Sequence, residues 1–576
     1  MSTARTNTTR RWVVAERTQA DLVEQLLANR GITDKERFFN PDYERDGHDP
    51  FLMPNMQTAV DRILTAVKAG ETIAVYADYD ADGIPGGAVL TKMLRILGAT
   101  VLPYVPDREK EGYGLNEPAL QHLKTSGVTL IITVDLGITN HTQVTAAKQL
   151  GIDVIVTDHH HVDEPRIPTD AVALVHPALP GSTYPFHGLA GGGVAWKLVQ
   201  ALQQATGNPD VGQLKWWFEL PAISTVCDIV PMSDENRMIV HYGLKVLMQT
   251  RNPGLKALYK AAGITPDTIN EWTIGFQIGP RLNAPGRVDH ASAALELLLT
   301  DDEQRAAVLA AQIELQNQER QAALERIVDE ASALIDRDKL DEQPAIVLLG
   351  DAWPAGLIGL AAGRIVERYH RPVILLGRDG DGKAKGSGRS ISRTAGEFNL
   401  LEGISAQKEL LVSYGGHERA AGLQLSEDDF VEFQRRFIEF AASRLDAEAL
   451  MPTERVDAVL KPEEVTDDLV TDLLRFAPFG PGNPRPRFVI APLTVSDVRT
   501  VGASGKHLKL RFKEGPSNGL EAIGFGLGER ASECTVGTKL AALGTLEFNE
   551  WNGTQRIQLK LDDLKSLDAA KAEGVL

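Results

Sequence analysis

Ile73-Ala74-Val75-Tyr76-Ala77-Asp78-Tyr79-Asp80-Ala81-Asp82-Gly83 runs apolar and then presents three aspartates at alternate positions. It reads as a buried strand opening into an acidic loop. Three carboxylates this close repel one another and raise one another's pKa unless a cation lies among them, so the pattern asks for a hard divalent ion. An EF-hand calcium loop also begins Asp-x-Asp-x-Asp-Gly, but it needs a bidentate Glu at its twelfth position, and the twelfth residue counted from Asp78 is Val89. A solvated acidic turn remains the plain alternative.

Two later stretches weigh against that alternative. Val128 to Val134 runs apolar into Asp135-Leu136-Gly137, and Ile152 to Thr157 runs apolar into Asp158-His159-His160. Helix-like segments, Gly87 to Leu97, Glu117 to Lys124 and Thr142 to Leu150, separate the strands, so the order is strand-helix alternation and the sheet is parallel. Ligands gather at the carboxyl ends of such strands. Topology alone therefore brings these acids and imidazoles towards one place. Further on, Asp228 stands in the apolar stretch Pro221 to Val230, where an unpartnered carboxylate would be costly to bury; a ligand role or a satisfied structural role fits it. The glycine-dense Gly188 to Gly193 lacks the strand and the ribose-binding acid of a dinucleotide fingerprint and reads as a tight turn opening a helix from Val194 to Ala205.

At 576 residues the chain exceeds one ordinary core and predicts three or four domains. Cys227 and Cys534 are too few and too far apart for a disulfide framework, which points to the reducing cytoplasm. The start, Met1 to Arg11, has no apolar core and is no signal peptide, and no window approaches a membrane span. A net charge of −18 argues against broad binding of nucleic acid. The balance is uneven, however: Arg485, Arg487, Arg499, Lys506, Lys509, Arg511 and Lys513 are opposed between 485 and 513 only by Asp497. This is a local basic face or an ordinary solvated strand surface.

Residues 1–55 predict a helical preface ending in a Pro- and Asp-rich linker, Phe39 to Pro54. Thr300 to Leu340 lacks Pro and Gly and has helical spacing, so it predicts one long helix or a nearly continuous pair. Ala345 to Leu349 and Pro372 to Leu376 then read as strands of a second α/β domain, with Ser387, Arg389 and Tyr414 to His417 in glycine-rich loops. From about Pro452 the chain alternates in short β-like runs, among them His507 to Phe512 and Gln555 to Leu559, which fit a small oligonucleotide-binding (OB) barrel.

Taken together, Asp78-Tyr79-Asp80-Ala81-Asp82-Gly83, Val134-Asp135-Leu136-Gly137, Asp158-His159-His160 and Val226-Cys227-Asp228 resemble, in order and spacing, the four motifs of the DHH phosphoesterase superfamily. Further matches lie in Pro280 to Arg287, Gly386 to Ser390, Tyr414 to His417 and Pro478 to Pro484, so the resemblance runs from about Ala74 to Leu561 and is to the superfamily's exonucleases for single-stranded DNA. It implies an α/β architecture: a parallel-sheet DHH domain (56–300), joined by a long helix (301–340) to a second α/β domain of the DHHA1 type (341–450), plus a C-terminal OB-like β-barrel (451–576).

What it implies for chemistry is a metal-dependent exonuclease that releases mononucleotides from the 5′ end of single-stranded DNA in repair and recombination. Oxygen donors with one imidazole and no thiolate suit two divalent cations, Mn2+ or Mg2+. By resemblance, Asp80 and Asp135 hold one ion and Asp82, Asp135, His159 and Asp228 the other, with Asp135 the bridge. His160 contacts the scissile phosphate and Asp158 orients the imidazoles. Arg281, Asn283 and Arg287 steer the phosphate backbone, Arg108, Ser387 and Arg389 form a pocket for the terminal 5′ phosphate, His417 sits on a loop of the accessory domain, and Lys506, Lys509 and Arg511 lie on the barrel's basic stretch. A single-stranded-DNA-binding protein and a recombination helicase are the protein partners so implied; a monomer is expected, and no membrane. The sequence departs from the family in Ile84-Pro85, in the run His159 to His161 and in Tyr76, where many relatives carry a histidine ligand. A phosphodiesterase for short oligonucleotides or cyclic dinucleotides, and an inactive DHH scaffold, remain alternatives; the long basic C-terminal region weighs against the first and the intact acid-His set against the second.

Overall fold

The computed structural model describes residues 10–108, 111–391, 398–516, 519–551 and 553–576. Apart from Arg10 and Arg11, the Thr- and Arg-rich start read as no signal peptide lies outside them. No helix of the described residues is long and apolar enough to cross a membrane. The chain divides into two compact units, one of residues 34–320 with 476–484, the other of residues 1–33, 321–475 and 485–576.

The unit with the acidic motifs is built on a five-stranded, wholly parallel sheet. Its spatial order is Thr100–Tyr104, Thr72–Ala77, Val128–Val134, Asp153–Thr157, Ala173–Val175. The three strands expected to end on ligands lie side by side in the middle, buried on both faces, which is why they read as unbroken apolar runs. The crossover helices are Gly83–Ile96, Glu117–Thr125 and His141–Gln149. The first starts four residues earlier than its apolar pattern suggests, because Pro85 falls in its first turn, where the missing N–H costs nothing.

Glycines let the first crossover helix press against Gly191–Thr206, since a Cβ on Gly86 would meet the Cα of Gly192 at 2.8 Å. The Pro221 to Val230 stretch is a helix, Glu219–Cys227, whose end emerges from the core, so Asp228 is only partly buried. Phe476–Pro484 is distant in sequence but belongs to this unit. Buried Arg237 donates from Nε to the Phe38 carbonyl (3.0 Å), from Nη1 to those of Phe476 (3.0 Å) and Pro478 (3.2 Å), and from Nη2 to that of Ala477 (2.9 Å). Its guanidinium also stacks 3.8 Å from the Phe38 ring centroid.

Glu219, the buried first residue of the helix Glu219–Cys227, accepts from Thr250 Oγ1 at 2.5 Å. Burial pushes its carboxyl from the ordinary 4.5 up to about 7, against the Thr250 bond and the charges of Lys92 and Lys256. A carboxyl whose folded pKa is raised costs stability as pH climbs from the unfolded value through the folded one. Glu219→Gln is therefore expected to match the parent at pH 4 and to exceed it by up to about 3 kcal/mol at pH 8. Denaturant unfolding at the two pH values checks this.

In the other unit, a mixed sheet has the order Leu411–Gly416, Ala420–Ser426, Lys383–Arg389, Val373–Arg378, Ile346–Gly350, with helix Ala355–Tyr369 crossing between the two parallel strands. Ser387, Arg389 and Tyr414 to Gly416 lie in strands, not in the glycine-rich loops expected. The glycines serve packing instead: a Cβ on Gly386 would meet Leu423 at 2.8 Å, and one on Gly388 would meet Leu400 at 2.8 Å. The helix Glu303–Asp338 is a single run of 36 residues, its first part in one unit and its remainder in the other.

The C-terminal region is a closed barrel. Strands Phe488–Val501, His507–Phe512, Glu521–Gly524, Thr554–Ser566 and Lys539–Trp551 pair in that order, and the last returns to the first. The expected helical preface opens instead with a strand, Arg11–Val14, paired in parallel with Thr453–Val456. Its α-helices are Leu22–Asn29, in one unit, and Lys35–Phe39 and Tyr43–Asp46, in the other.

Candidate metal centre

The carboxyl ends of the three central strands converge as topology requires. Asp78 follows the strand Thr72–Ala77, Asp135 follows Val128–Val134, and Asp158 to His160 follow Asp153–Thr157. Asp228 caps the helix Glu219–Cys227. His159 Nε2 stands 3.2 Å from Asp135 Oδ1, 3.6 Å from Asp82 Oδ2 and 3.6 Å from Asp228 Oδ2. Donor atoms around one octahedral cation at about 2.1 Å are about 3 Å apart, close to this spacing.

Among the described residues, three groups of side chains could hold a cation, each with its donor atoms within 4.8 Å of one another: Asp82, His159 and Asp228; Asp78, Asp80 and Asp135; and Asp135, His159 and His160. Asp78 Oδ1, Asp135 Oδ1 and His159 Nε2 are buried with no hydrogen-bond partner among the described residues. Orphaned polar atoms cost free energy, and here they aim at one another's neighbourhood, as ligands awaiting a cation would. The donor set therefore fits divalent manganese or magnesium.

The electrostatics agree. Burial, then the neighbouring carboxylates, push Asp78 and Asp135 well above the usual carboxylate range. Asp82 is raised by burial although both its oxygens accept backbone N–H bonds, from Gly191 and Gly192, each at 2.7 Å. Asp228 is raised to about 8 by burial and by Asp82 and Asp80. Asp158 departs from the rest: burial alone would raise it, but bonds from His160 Nδ1 at 2.8 Å and from the N–H of Ile138 and His160 hold it down to about 2. In return Asp158 outweighs the burial of His160 and lifts its imidazole to about 9. With Nδ1 turned to Asp158, Nε2–H is the outward donor of a partly exposed cationic ring.

The glycine-dense stretch supports this assembly, with Gly191 to Gly193 forming the first turn of the helix itself, three residues earlier than the start expected at Val194. Gly191–Thr206 begins with the two N–H groups that hold Asp82, so the helix N-terminus takes a carboxylate of its own chain as its anion. A Cβ on Gly191 would stand 2.5 Å from Asp135 Oδ1, and one on Gly192 would stand 2.0 Å from Ser224 Oγ, which donates to the Asp82 carbonyl at 2.9 Å. Asp80 folds back as an Asx turn, accepting from the N–H of Asp82 at 2.9 Å and of Gly83 at 3.1 Å.

The other expected residues fare unevenly. Asn283 Oδ1 accepts from the Ala81 N–H at 2.8 Å, pinning the acidic loop. Arg281 donates to Glu314 at 2.6 Å and to the Gln277 carbonyl at 2.9 Å, so both residues are engaged within the fold. Arg108 lies over the Tyr79 ring at 5.0 Å. Burial, then Arg108 and Arg320, lower Arg287 to about 10. Guanidiniums crowded this way around a loop at the cluster's edge suit a polyanion.

In the other unit, Arg389 Nη1 donates to Ser387 Oγ at 3.1 Å and His417 is exposed. Lys509 and Arg511 share Glu521 on the next antiparallel strand, at 3.5 and 2.6 Å, an acid that lies outside the stretch counted as basic; Lys506 is exposed. The sequence reading left out three neighbours of the site: Asp78 as a ligand, Arg320, and Tyr113, whose hydroxyl donates to the Asp135 carbonyl at 3.3 Å and lies 3.2 Å from His160 Nδ1. Only Asp78 carried a signal, as the first of the three alternating acids. Tyr76 lies beside another path: its hydroxyl donates to the Gly114 carbonyl at 3.1 Å and accepts from Asn116.

Three family models match the chain: the DHH family N-terminal domain at 72–217, the DHHA1 domain at 342–443 and the RecJ OB domain at 456–563. A single-stranded-DNA-specific exonuclease RecJ from Bacillus subtilis (strain 168) is 41% identical over 546 residues, covering 94% of this chain and 67% of the relative. The protein of the same description from Escherichia coli (strain K12) is 34% identical over 567 residues, covering 94% and 95%. The crystal structure of RecJ in complex with Mn2+ from Thermus thermophilus superposes with a TM-score of 0.81 at 28% identity, covering 96% of this chain and 79% of that one.

Proposed function

The chain belongs to the RecJ family of single-stranded-DNA-specific exonucleases, and from that premise we propose that it hydrolyses phosphodiester bonds of single-stranded DNA, using divalent manganese or magnesium, to release mononucleotides from the 5′ end. The observation that carries the reading is the convergence of Asp82, His159 and Asp228 beside Asp78, Asp80 and Asp135, with three of their donor atoms buried and unpartnered.

Asp82, His159 and Asp228 would hold one cation and Asp78, Asp80 and Asp135 the other, with Asp135 near both. Held there, two ions would supply Lewis-acid activation of water and neutralise charge on the phosphate. The protein's own groups do the rest. Asp158 takes His160 Nδ1 and fixes the ring, so its Nε2–H can donate to a non-bridging oxygen of the scissile phosphate. Arg108 and Arg287 attract the strand next to the acidic loop, and Ser387 and Arg389 would receive the terminal 5′ phosphate. On this reading the protein works in the cytoplasm, on repair and recombination intermediates. A single-stranded-DNA-binding protein and a recombination helicase are the protein partners proposed, and a monomer is the proposed state.

The test is digestion of an end-labelled single strand with either metal. A 5′-phosphorylated strand should shorten to mononucleotides, while chelator or a 5′ block should each stop release. Survival of long strands with cleavage of dinucleotides would replace the reading with a short-oligonucleotide phosphodiesterase. Digestion unaffected by the 5′ block would remove the polarity.

A further inference from the structure

One exposed feature beside the metal centre has no part in the chemistry above. Trp272 and Phe276 lie one helical turn apart and stack, ring centroids 5.5 Å apart and planes within 21°. They are 49% and 67% exposed. Single surface apolar residues need no explanation, but two large aromatic rings stacked in water leave outward π faces that burial would favour. Between them the helix becomes a π-helix, Ile274–Ile278, a form that occurs mostly as short interruptions at functional sites.

This turn is fastened to the metal centre at both ends. On one side a Cβ at Gly279 would meet Cys227 Sγ at 2.4 Å, Cys227 Sγ also reaches the Ile274 carbonyl at 4.0 Å, and the next residue is Asp228. On the other side the helical run continues to Asn283, which holds the acidic loop at Ala81. The helical path from Phe276 to Asn283 spans roughly 10 Å, the length of a few nucleotides. Ile229, directly after Asp228, is 70% exposed with φ at +60°, a backbone region that strains a β-branched side chain and that persists mainly where function needs it.

We propose that Trp272 and Phe276 are a stacking platform for bases of the single strand, with Ile229 as its apolar edge beside Asp228. Stacking on aromatic faces needs no sequence and uses a face that a duplex keeps inside its own stack, so the platform would select unpaired strands while the metal centre works on the backbone. The platform contributes binding of bases; it takes no part in bond cleavage. This rests on the exonuclease reading.

The test is binding of the whole protein, in chelator so that nothing is cleaved, to a fluorescent oligothymidylate and to the same backbone with abasic sites. The parent should bind the base-bearing strand about tenfold or more tightly than the abasic one. Trp272→Ala with Phe276→Ala should bring that ratio near one, and Trp272→Phe with Phe276→Tyr should restore it. A structural defect would weaken both strands alike and leave the ratio. If the parent holds both strands equally, or the alanine pair keeps the parent's ratio, the platform is overturned while the exonuclease reading stands on its digestion assay. A parent that neither binds nor digests single strands would end both.

Discussion

Asp135→Asn should lower single-strand hydrolysis on the order of ten-thousandfold while leaving the fold intact. Asp135 is the acid closest to both groups of ligands and the proposed bridge, so its loss weakens both ion sites at once. Asparagine is chosen because Asp135 has φ at +65°, a conformation asparagine accepts more readily than alanine. The same substitution should stabilise the metal-free protein. Asp135 is fully buried among other carboxylates, and its raised pKa means that stability is lost as pH rises above the ordinary carboxylate range. Removing the charge removes that loss. Adding Mn2+ at a hundred times its Kd should stabilise the parent by about 2.7 kcal/mol, and the variant by much less. Thermal melts with and without Mn2+, run beside the digestion assay, read all three effects. Retention of a tenth of the parent's turnover would remove Asp135 from the bridge.

Gly191→Ala should be nearly as damaging by a different route. The new Cβ would stand 2.5 Å from Asp135 Oδ1 and 2.6 Å from its Cγ, closer than any non-bonded contact allows. Asp135 is short and buried, so either its carboxylate swings out of the ligand set or the helix Gly191–Thr206 retreats and withdraws its two N–H groups from Asp82. Overpacking of this kind costs about 1–3 kcal/mol of stability. The loss of activity should be far larger than that loss of stability accounts for, at least about hundredfold, because a ligand displaced by an ångström no longer closes the site. Metal titration followed by melting temperature should show the variant needing much more Mn2+ than the parent.

The sequence disclosed the parallel sheet and the acid positions because both follow from one-dimensional pattern. Apolar runs of strand length announce a sheet covered on both faces, and an acid at the end of each run falls at the carboxyl edge by topology. Groups positioned by chain-distant packing were hidden. Nothing near Gly191 in the sequence says that its N–H meets Asp82, and Tyr113 and Arg320 arrive at the site from a loop and from a helix. Arg281 and Asn283 read as phosphate contacts because their types suit phosphate; the bonds they also make within the fold, to Glu314 and from the Ala81 N–H, have no signal in the sequence. Along the barrel's basic stretch the sequence likewise hides a partner, since Glu521 lies outside the stretch and opposite Lys509 and Arg511 in the sheet. The glycines around Ser387 suggest a loop in the sequence, whereas in the strand Lys383–Arg389 they make room for leucines.

The clasp of Arg237 around Phe476–Pro484 bears on how this protein could be shortened. A gene fragment ending at the long helix keeps every proposed metal ligand and would look like a minimal nuclease. It would also discard the only sequence-distant piece of the unit that contains those ligands. Arg237 would keep its buried charge but lose the carbonyls of Phe476, Ala477 and Pro478, and Phe38 and Phe39 would lose the ring of Phe476 that packs edge-on against both. Modules that look separable along the gene are thus interlaced in the folded chain, and a working excision would have to carry the Phe476–Pro484 segment with it.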